Sequence, residues 1–353
     1  MRVSVLPKPT KMKKILLTLI GFLFIQYLSA QTGLAKADTN KIVSSKQLKL
    51  TGYTQPRFQY FTDTAKISGF DIRRARLALT GGLTAKIDYR FFAELAGGVP
   101  PQLLEGIFIY KLKGDQLKLS AGQMLVPLGN DIIASETKME TVNRAILSES
   151  LGARGADVIG NQNARDIGIQ ASGILKTKND KPYLNYAAGV FNGSGINKFD
   201  NNKDKAFAGR VIVSPIQKMW IGGSYYNGSS RWGDSLNVDK NRDRWALEAE
   251  YQYKVFTLRA EYMQGVDDTI NKGGYYVQLI GDVIPKKIQL SGRFEYFDTN
   301  EAIADNAVYV YTICPSFLFG ELCKIQIGYD IIREEATVQK TNDVMQVQFQ
   351  VAF

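Results

Sequence analysis

The 353-residue chain is 45% hydrophobic, 22% charged and 11% aromatic, with 32 Gly, 10 Pro and 2 Cys, a globular balance that excludes disordered and collagen-like classes. It contains no histidine, which removes Ser-His-Asp and Cys-His catalysis and every His-ligated zinc or haem site, so no catalytic centre, metal or cofactor is expected. The formal charge of +10 would suggest nucleic acid only if the basic residues belonged to the folded part of the chain.

Five of them do not. Arg2, Lys8, Lys11, Lys13 and Lys14 precede an uncharged run from Ile15 to Ala30 that contains ILLTLIGFLFI and ends in Leu-Ser-Ala. A basic head, an apolar stretch too short to span a bilayer as a helix, and small residues at the cut predict a secretory signal peptide over residues 1–30, starting at Met1 or Met12. Its removal takes no acid and leaves a net charge of +5, so no nucleic-acid partner is expected. The exported chain keeps only Cys314 and Cys323, readable as small apolar fillers or as a local bridge across a hairpin.

Residues 31–45 read as a periplasmic lead-in, and period-2 alternation then runs to the C-terminus. Strands are expected near 46–62, 69–83, 87–97, 103–113, 115–125, 165–176, 182–192 and 205–214. A second set follows near 218–227, 243–253, 255–264, 274–284, 287–297, 306–318, 322–334 and 343–353. Sixteen segments of about ten residues suit tilted strands crossing a bilayer. Short links (113–115, 215–218, 254–255, 285–286, 320–321) alternate with longer polar ones (194–205, 229–242, 266–272, 299–306, 337–343). That is the pattern of an all-β, antiparallel up-and-down transmembrane barrel over residues 46–353, with its short turns in the periplasm and the chain in a Gram-negative outer membrane.

One face of these strands is apolar, as in Leu77 and Leu79, Trp245 and Leu247, or Phe256 and Leu258. Aromatics such as Tyr225-Tyr226, Tyr275-Tyr276 and Tyr296-Phe297 would form interfacial girdles. The other face carries Arg74, Arg76, Arg90, Lys118, Arg210, Arg244, Arg259, Arg293 and Lys324, interleaved with nine acids: Asp88, Glu94, Glu105, Asp166, Glu248, Glu250, Glu261, Glu295 and Asp330. Lipid would charge roughly 2–4 kcal/mol for each Arg or Lys at midplane, so this face must line a wet lumen. Arg244 with Glu248 and Glu250, Arg259 with Glu261, and Arg293 with Glu295 are expected to neighbour one another. Arg74 and Arg76 form a basic strip.

The alternation fails over 126–163, where Ser135 to Ser150 reads as a short helix released by Gly152 and Gly155. This third long connection would narrow the barrel if it folds inward. Lys138, Arg144 and Arg154 would then present cations to a passing anion, with Glu136, Glu140 and Glu149 opposing them; alternatively these are solvated charges on an external loop.

The stretches FDIRRARLALTGGLTAKIDYRFFAELAG (70–97), EGIFIYKLKGDQLKLSAGQMLVPLG (105–129), RDIGIQ (165–170), AAGVFNG (187–193) and GRVIVSP (209–215) resemble, in order and spacing, the phosphate-selective porin O/P family. The resemblance implies a sixteen-stranded, homotrimeric porin passing small solutes or inorganic anions, with Arg74 and Arg76 matching a family motif. The terminal Phe353 fits the signal read by the barrel-assembly machinery. The alternative is a plugged barrel serving as scaffold for another envelope component.

Overall fold

The computed structural model describes residues 46–97, 100–233, 238–335 and 342–353. The expected signal peptide and lead-in lie outside the described residues. The first eight strands are β1 (Lys46–Phe61), β2 (Gly69–Gly82), β3 (Ile87–Glu94), β4 (Gln102–Lys113), β5 (Leu117–Leu125), β6 (Arg165–Lys176), β7 (Pro182–Phe191) and β8 (Ala206–Ile216). They continue as β9 (Met219–Ser230), β10 (Lys240–Tyr253), β11 (Phe256–Asp267), β12 (Ile270–Ile284), β13 (Ile288–Asp298), β14 (Ala307–Phe319), β15 (Cys323–Glu334) and β16 (Val344–Ala352). Each pairs antiparallel with its chain neighbours and β1 pairs with β16, closing a sixteen-strand barrel without an open edge.

The faces are inverted relative to a soluble sandwich. In β16, Gln346, Gln348 and Gln350 are 0%, 2% and 3% exposed, whereas Met345, Phe349 and Val351 are 42%, 46% and 52% exposed. Amides inside and hydrocarbon outside are stable only in an apolar solvent, so the outward belt faces lipid. Tyr275, Phe294, Tyr296, Tyr309 and Tyr311 form a connected outward aromatic group across β12–β14. Strict alternation turns the other member of each expected pair inward: Tyr226, Tyr276 and Phe297 are buried inside the barrel instead of joining a girdle.

Short links occupy one rim and longer ones the other, with one departure. The expected long link 266–272 is a two-residue turn at 268–269, where Asp268 takes φ +60°. Asp267 remains in register because its carboxylate receives Arg244 from inside at 2.5 Å and Lys272 at 2.9 Å. Cys314 and Cys323 are free; Cys314 is buried on the inner face while Cys323 lies opposite the exposed Phe319.

A second departure shapes the lumen. Pro56 has no N–H to give to the ladder, and the β1–β2 register jumps from Gln55↔Arg74 to Pro56↔Ile72. Arg73 is the extra residue of this bulge. It therefore points inward beside Arg74, its guanidinium donating to Asn143 Oδ1 within the barrel.

Residues 126–164 join β5 to β6 and lie inside the barrel. The helix expected over 135–150 is a correction: the chain makes α1 (Asn130–Ile133), a 3-10 turn at Glu136–Lys138, extended chain, and α2 (Ile146–Leu151). The extended part needs no helical bonds because wall side chains satisfy its backbone. Gln350 donates to Thr137 O at 3.1 Å, Gln326 to Met139 O at 3.2 Å, and Arg293 to Asn143 O at 3.2 Å. Leu128, Ile132, Leu147 and Leu151 pack on Tyr226, Ala246, Met263, Tyr276 and Phe297, forming an apolar core inside the barrel.

Candidate functional site

The site is the inner wall together with this inward segment. Its entry is fixed by Glu261 of β11, whose carboxylate accepts the N–H groups of Asn130 and Asp131 at 3.2 and 3.0 Å, while Gly129 N donates to Ser224 Oγ at 3.0 Å. Gly129 has φ +62°, and a Cβ there would sit 2.4 Å from Glu261 Oε1, so the close approach requires glycine. Further along, Asp131 accepts Ala145 N at 3.1 Å and Glu295 accepts Ile146 N at 2.5 Å.

Glu136 is the hub. Its carboxylate lies 3.2 Å from Arg76, 3.0 Å from Arg144 and 3.8 Å from Arg154. Burial alone would raise its pKa, but the guanidiniums of Arg76, Arg144, Arg74 and Arg154 outweigh it and hold the group well below the ordinary carboxylate range. Arg144 also donates to Ala134 O at 2.6 Å and to Asp131 O. At the far end, Asp157 takes Arg242 through bonds of 3.0 and 2.6 Å, with Arg244 at 3.7 Å.

Two cavities open below the segment toward the short-turn rim. One, of about 670 Å³, is lined by Lys49, Arg90, Glu105, Glu136, Arg154 and Arg165; the other, of about 500 Å³, by Trp220, Arg210, Arg259, Glu140 and Glu250. Lys138 projects, exposed, between them and lines both.

The family profile described as phosphate-selective porin O and P matches residues 51–228, half of the chain. The protein belongs to that family. No curated protein matches. Among solved structures, the anion-selective porin from Comamonas acidovorans superposes with a TM-score of 0.67 at 15% identity, covering 88% of this chain and 100% of its own. OmpT, an outer membrane protein of Vibrio cholerae in its trimer form, gives 0.62 at 10% identity over 87% of this chain and 99% of its own. DcaP, an outer membrane channel of Acinetobacter baumannii, gives 0.62 at 10% identity over 91% and 100%. At these identities the likeness is one of fold.

In this porin the cations expected to face the lumen sit unequally. Arg90 pairs with Glu105 at 2.5 Å and lies over the Phe92 ring, and Arg210 pairs with Glu248 at 2.7 Å. Arg259 joins Glu250 at 2.7 Å and Glu140 at 2.9 Å, and Arg293 joins Glu295 at 2.7 Å. Lys118 is at the short-turn rim with Asp115, 2.7 Å away. Two expected neighbourhoods are corrected: Arg244 binds Asp267 and Asp157 instead of Glu248 and Glu250, and Arg259 does not take Glu261, which is occupied by the backbone of α1. Arg74 makes its hydrogen bond to the neutral Gln55 at 3.0 Å, and Arg73 to Asn143; neither forms an ion pair among the described residues. Sequence reasoning missed Arg73 because simple alternation sends it to lipid. Pro56 in the facing strand was the available signal.

Proposed function

We propose that this outer-membrane porin passes small hydrophilic solutes passively with a bias toward inorganic anions, and that the bias is set where the inward segment meets β2. One observation carries it: the bulge aims both Arg73 and Arg74 inward with no carboxylate of their own. Arg74, Arg76, Arg144 and Arg154 surround Glu136 and Arg73 stands beside Arg74, a positive excess even with Glu94 on Arg76, in a narrow, partly desolvated zone where fixed charge acts strongly on a passing ion. The paired cations Arg90, Arg210, Arg244, Arg259 and Arg293 contribute little net field, and Lys138 guides ions between the two lower cavities.

The protein acts as a channel and not as an enzyme; its sequence holds no histidine base. Export by residues 1–30, hand-over to the assembly machinery through Phe353, and assembly as a homotrimer complete the reading. The reversal potential in a planar bilayer under a KCl gradient tests it. The wild type is expected to favour chloride, and Arg73→Gln with Arg74→Gln to bring the permeability ratio several-fold closer to one. Potassium preference in the wild type, or an unchanged ratio in the double variant, would reject the anion bias.

A second reading has its own support. The inward segment hydrogen-bonds to the inner faces of β1, β2, β11, β13, β15 and β16, wall to wall across the lumen. Single-channel silence would favour a plugged barrel acting as a scaffold.

A further inference from the structure

The charge of the barrel is not shared evenly between its rims. On the long-loop rim Lys205, Arg231, Lys272 and Arg333 are paired with Asp200, Asp239, Asp267 and Asp343, and the lysines without an ion pair among the described residues, such as Lys66, Lys198 and Lys203, share the rim with the exposed acids Asp204, Asp268, Glu301 and Asp305. On the opposite rim, six of the seven short turns hold or adjoin an exposed lysine with no ion pair among the described residues: in chain order Lys86, Lys113, Lys178, Lys218, Lys254 and the neighbours Lys286 and Lys287. The seventh turn, 320–322, carries Glu321 instead. Three further lysines of this rim, Lys111, Lys118 and Lys176, consume the acids Asp88, Asp115 and Asp180. The remaining acid of these turns, Asp282, accepts from Gln289.

In or beside each of the six turns stands a large exposed apolar residue: Leu83, Leu112, Tyr183, Ile216, Val255 and Ile284 are 58%, 48%, 41%, 58%, 43% and 45% exposed. They continue the lipid-facing belt to its lower edge. A long flexible ammonium beside an exposed hydrocarbon group, repeated around a cylinder, matches the boundary between acyl chains and headgroups: the hydrocarbon enters the oil and the lysine reaches back to the polar layer.

We propose that this lysine ring is a binding surface for anionic phospholipid headgroups of the periplasmic leaflet. Phosphate oxygens of the lipid take the place of the missing carboxylates, one shell of lipid around the lower rim. The side assignment rests on the porin reading above, which places the short turns in the periplasm. The ring lies on the outside of the wall and is separate from the guanidiniums of the lumen.

Detergent-purified full-length protein titrated with phosphatidylglycerol and phosphatidylcholine of equal chain length, read by native mass spectrometry, tests the proposal. Phosphatidylglycerol is expected to bind about tenfold more tightly, with the preference collapsing in roughly 0.5 M salt. The quadruple variant Lys218→Gln, Lys254→Gln, Lys286→Gln and Lys287→Gln should reduce the preference to about twofold, and the Lys→Arg quadruple should restore it. A control triple on the long-loop rim, Lys66→Gln, Lys198→Gln and Lys203→Gln, should leave it intact.

Heat-modifiable migration in gels confirms that each variant is folded. An unaltered reversal potential in the rim variants separates this surface from the lumen: loss of chloride preference in the wild type would reject the anion bias and leave the lipid result standing. No preference in the wild type, an unchanged preference in the quadruple variant, or loss in the control triple overturns the lipid ring. So does displacement of the lipid by millimolar inorganic phosphate, which would make the rim a general anion site. Co-sedimentation with purified peptidoglycan that disappears in the quadruple variant, without a lipid effect, would assign the ring to wall carboxylates instead.

Discussion

Asp157 shows how a single charge holds a forty-residue segment in place. Burial pushes its pKa up, but the bidentate contact with Arg242 and the nearby Arg244 outweigh this and hold it below the ordinary range. A carboxylate depressed in the folded state stabilises it fully above its unfolded pKa, and the contribution is lost only as pH falls through the lower, folded value. Anchoring of the segment is therefore expected to be constant from about pH 8 to about pH 5 and to weaken only in stronger acid. Asp157→Asn removes the carboxylate from a buried pair, a loss on the order of 3–5 kcal/mol that falls on the segment and not on the barrel. Protease cleavage between residues 153 and 160 at neutral pH should rise in the variant while thermal unfolding of the barrel stays put; equal protection of both proteins would show that the pair does not secure the segment. At this same scale the sequence was only partly readable. Arg74, Arg76 and Arg244 were visible as inward residues, yet Arg73 was hidden by a bulge and the partners of Arg244 lay in another link.

The inward segment carries the clearest lesson at the level of elements. A helix over 135–150 follows from local propensity, but its carbonyls are taken by Gln326 and Gln350, close to two hundred residues or more away in the chain, and no local pattern can announce such partners. What does remain helical is the short α2, kept by the burial of Leu147 and Leu151, both 0% exposed. Leu147→Ala and Leu151→Ala are each expected to cost the segment about 2–5 kcal/mol. Hydrogen exchange should then accelerate at amides 146–151 while those of β10 and β11 remain protected. Uniform acceleration across strands and segment would mean that the apolar core supports the wall as well. Gly129→Ala should act in the same direction, by roughly 1–3 kcal/mol, because it combines a positive φ with a clash against Glu261. The tight 268–269 turn was equally illegible, since Asp267 reads as a loop residue until Arg244 is found beside it.

For the whole molecule the alternation was nearly sufficient, because a membrane barrel is patterned by its two solvents, lipid outside and water inside, and that pattern is printed locally in every strand. Each strand bond is made to a neighbour, and the β5–β6 ladder runs in register from Lys118↔Ser172 to Leu125↔Arg165 independently of the segment that joins them. The wall should therefore close without its contents. Replacing residues 130–160 by a short Gly-Ser link is expected to leave a folded, heat-modifiable barrel, because no ladder hydrogen bond is removed. The wall residues released by the deletion, Gln326, Gln350, Arg293 and Glu295 among them, are polar and exchange segment contacts for water. The apolar patch formed by Met263, Tyr276 and Phe297 would be newly wetted, so the thermal midpoint should fall by several degrees. Single-channel conductance should rise several-fold and chloride preference should drop, since an open sixteen-strand lumen is wide and a passing ion no longer meets Arg73 and Arg74 in a narrow, partly desolvated zone. A deleted barrel that folds and inserts but conducts no more than the wild type would place the narrowest point elsewhere in the lumen.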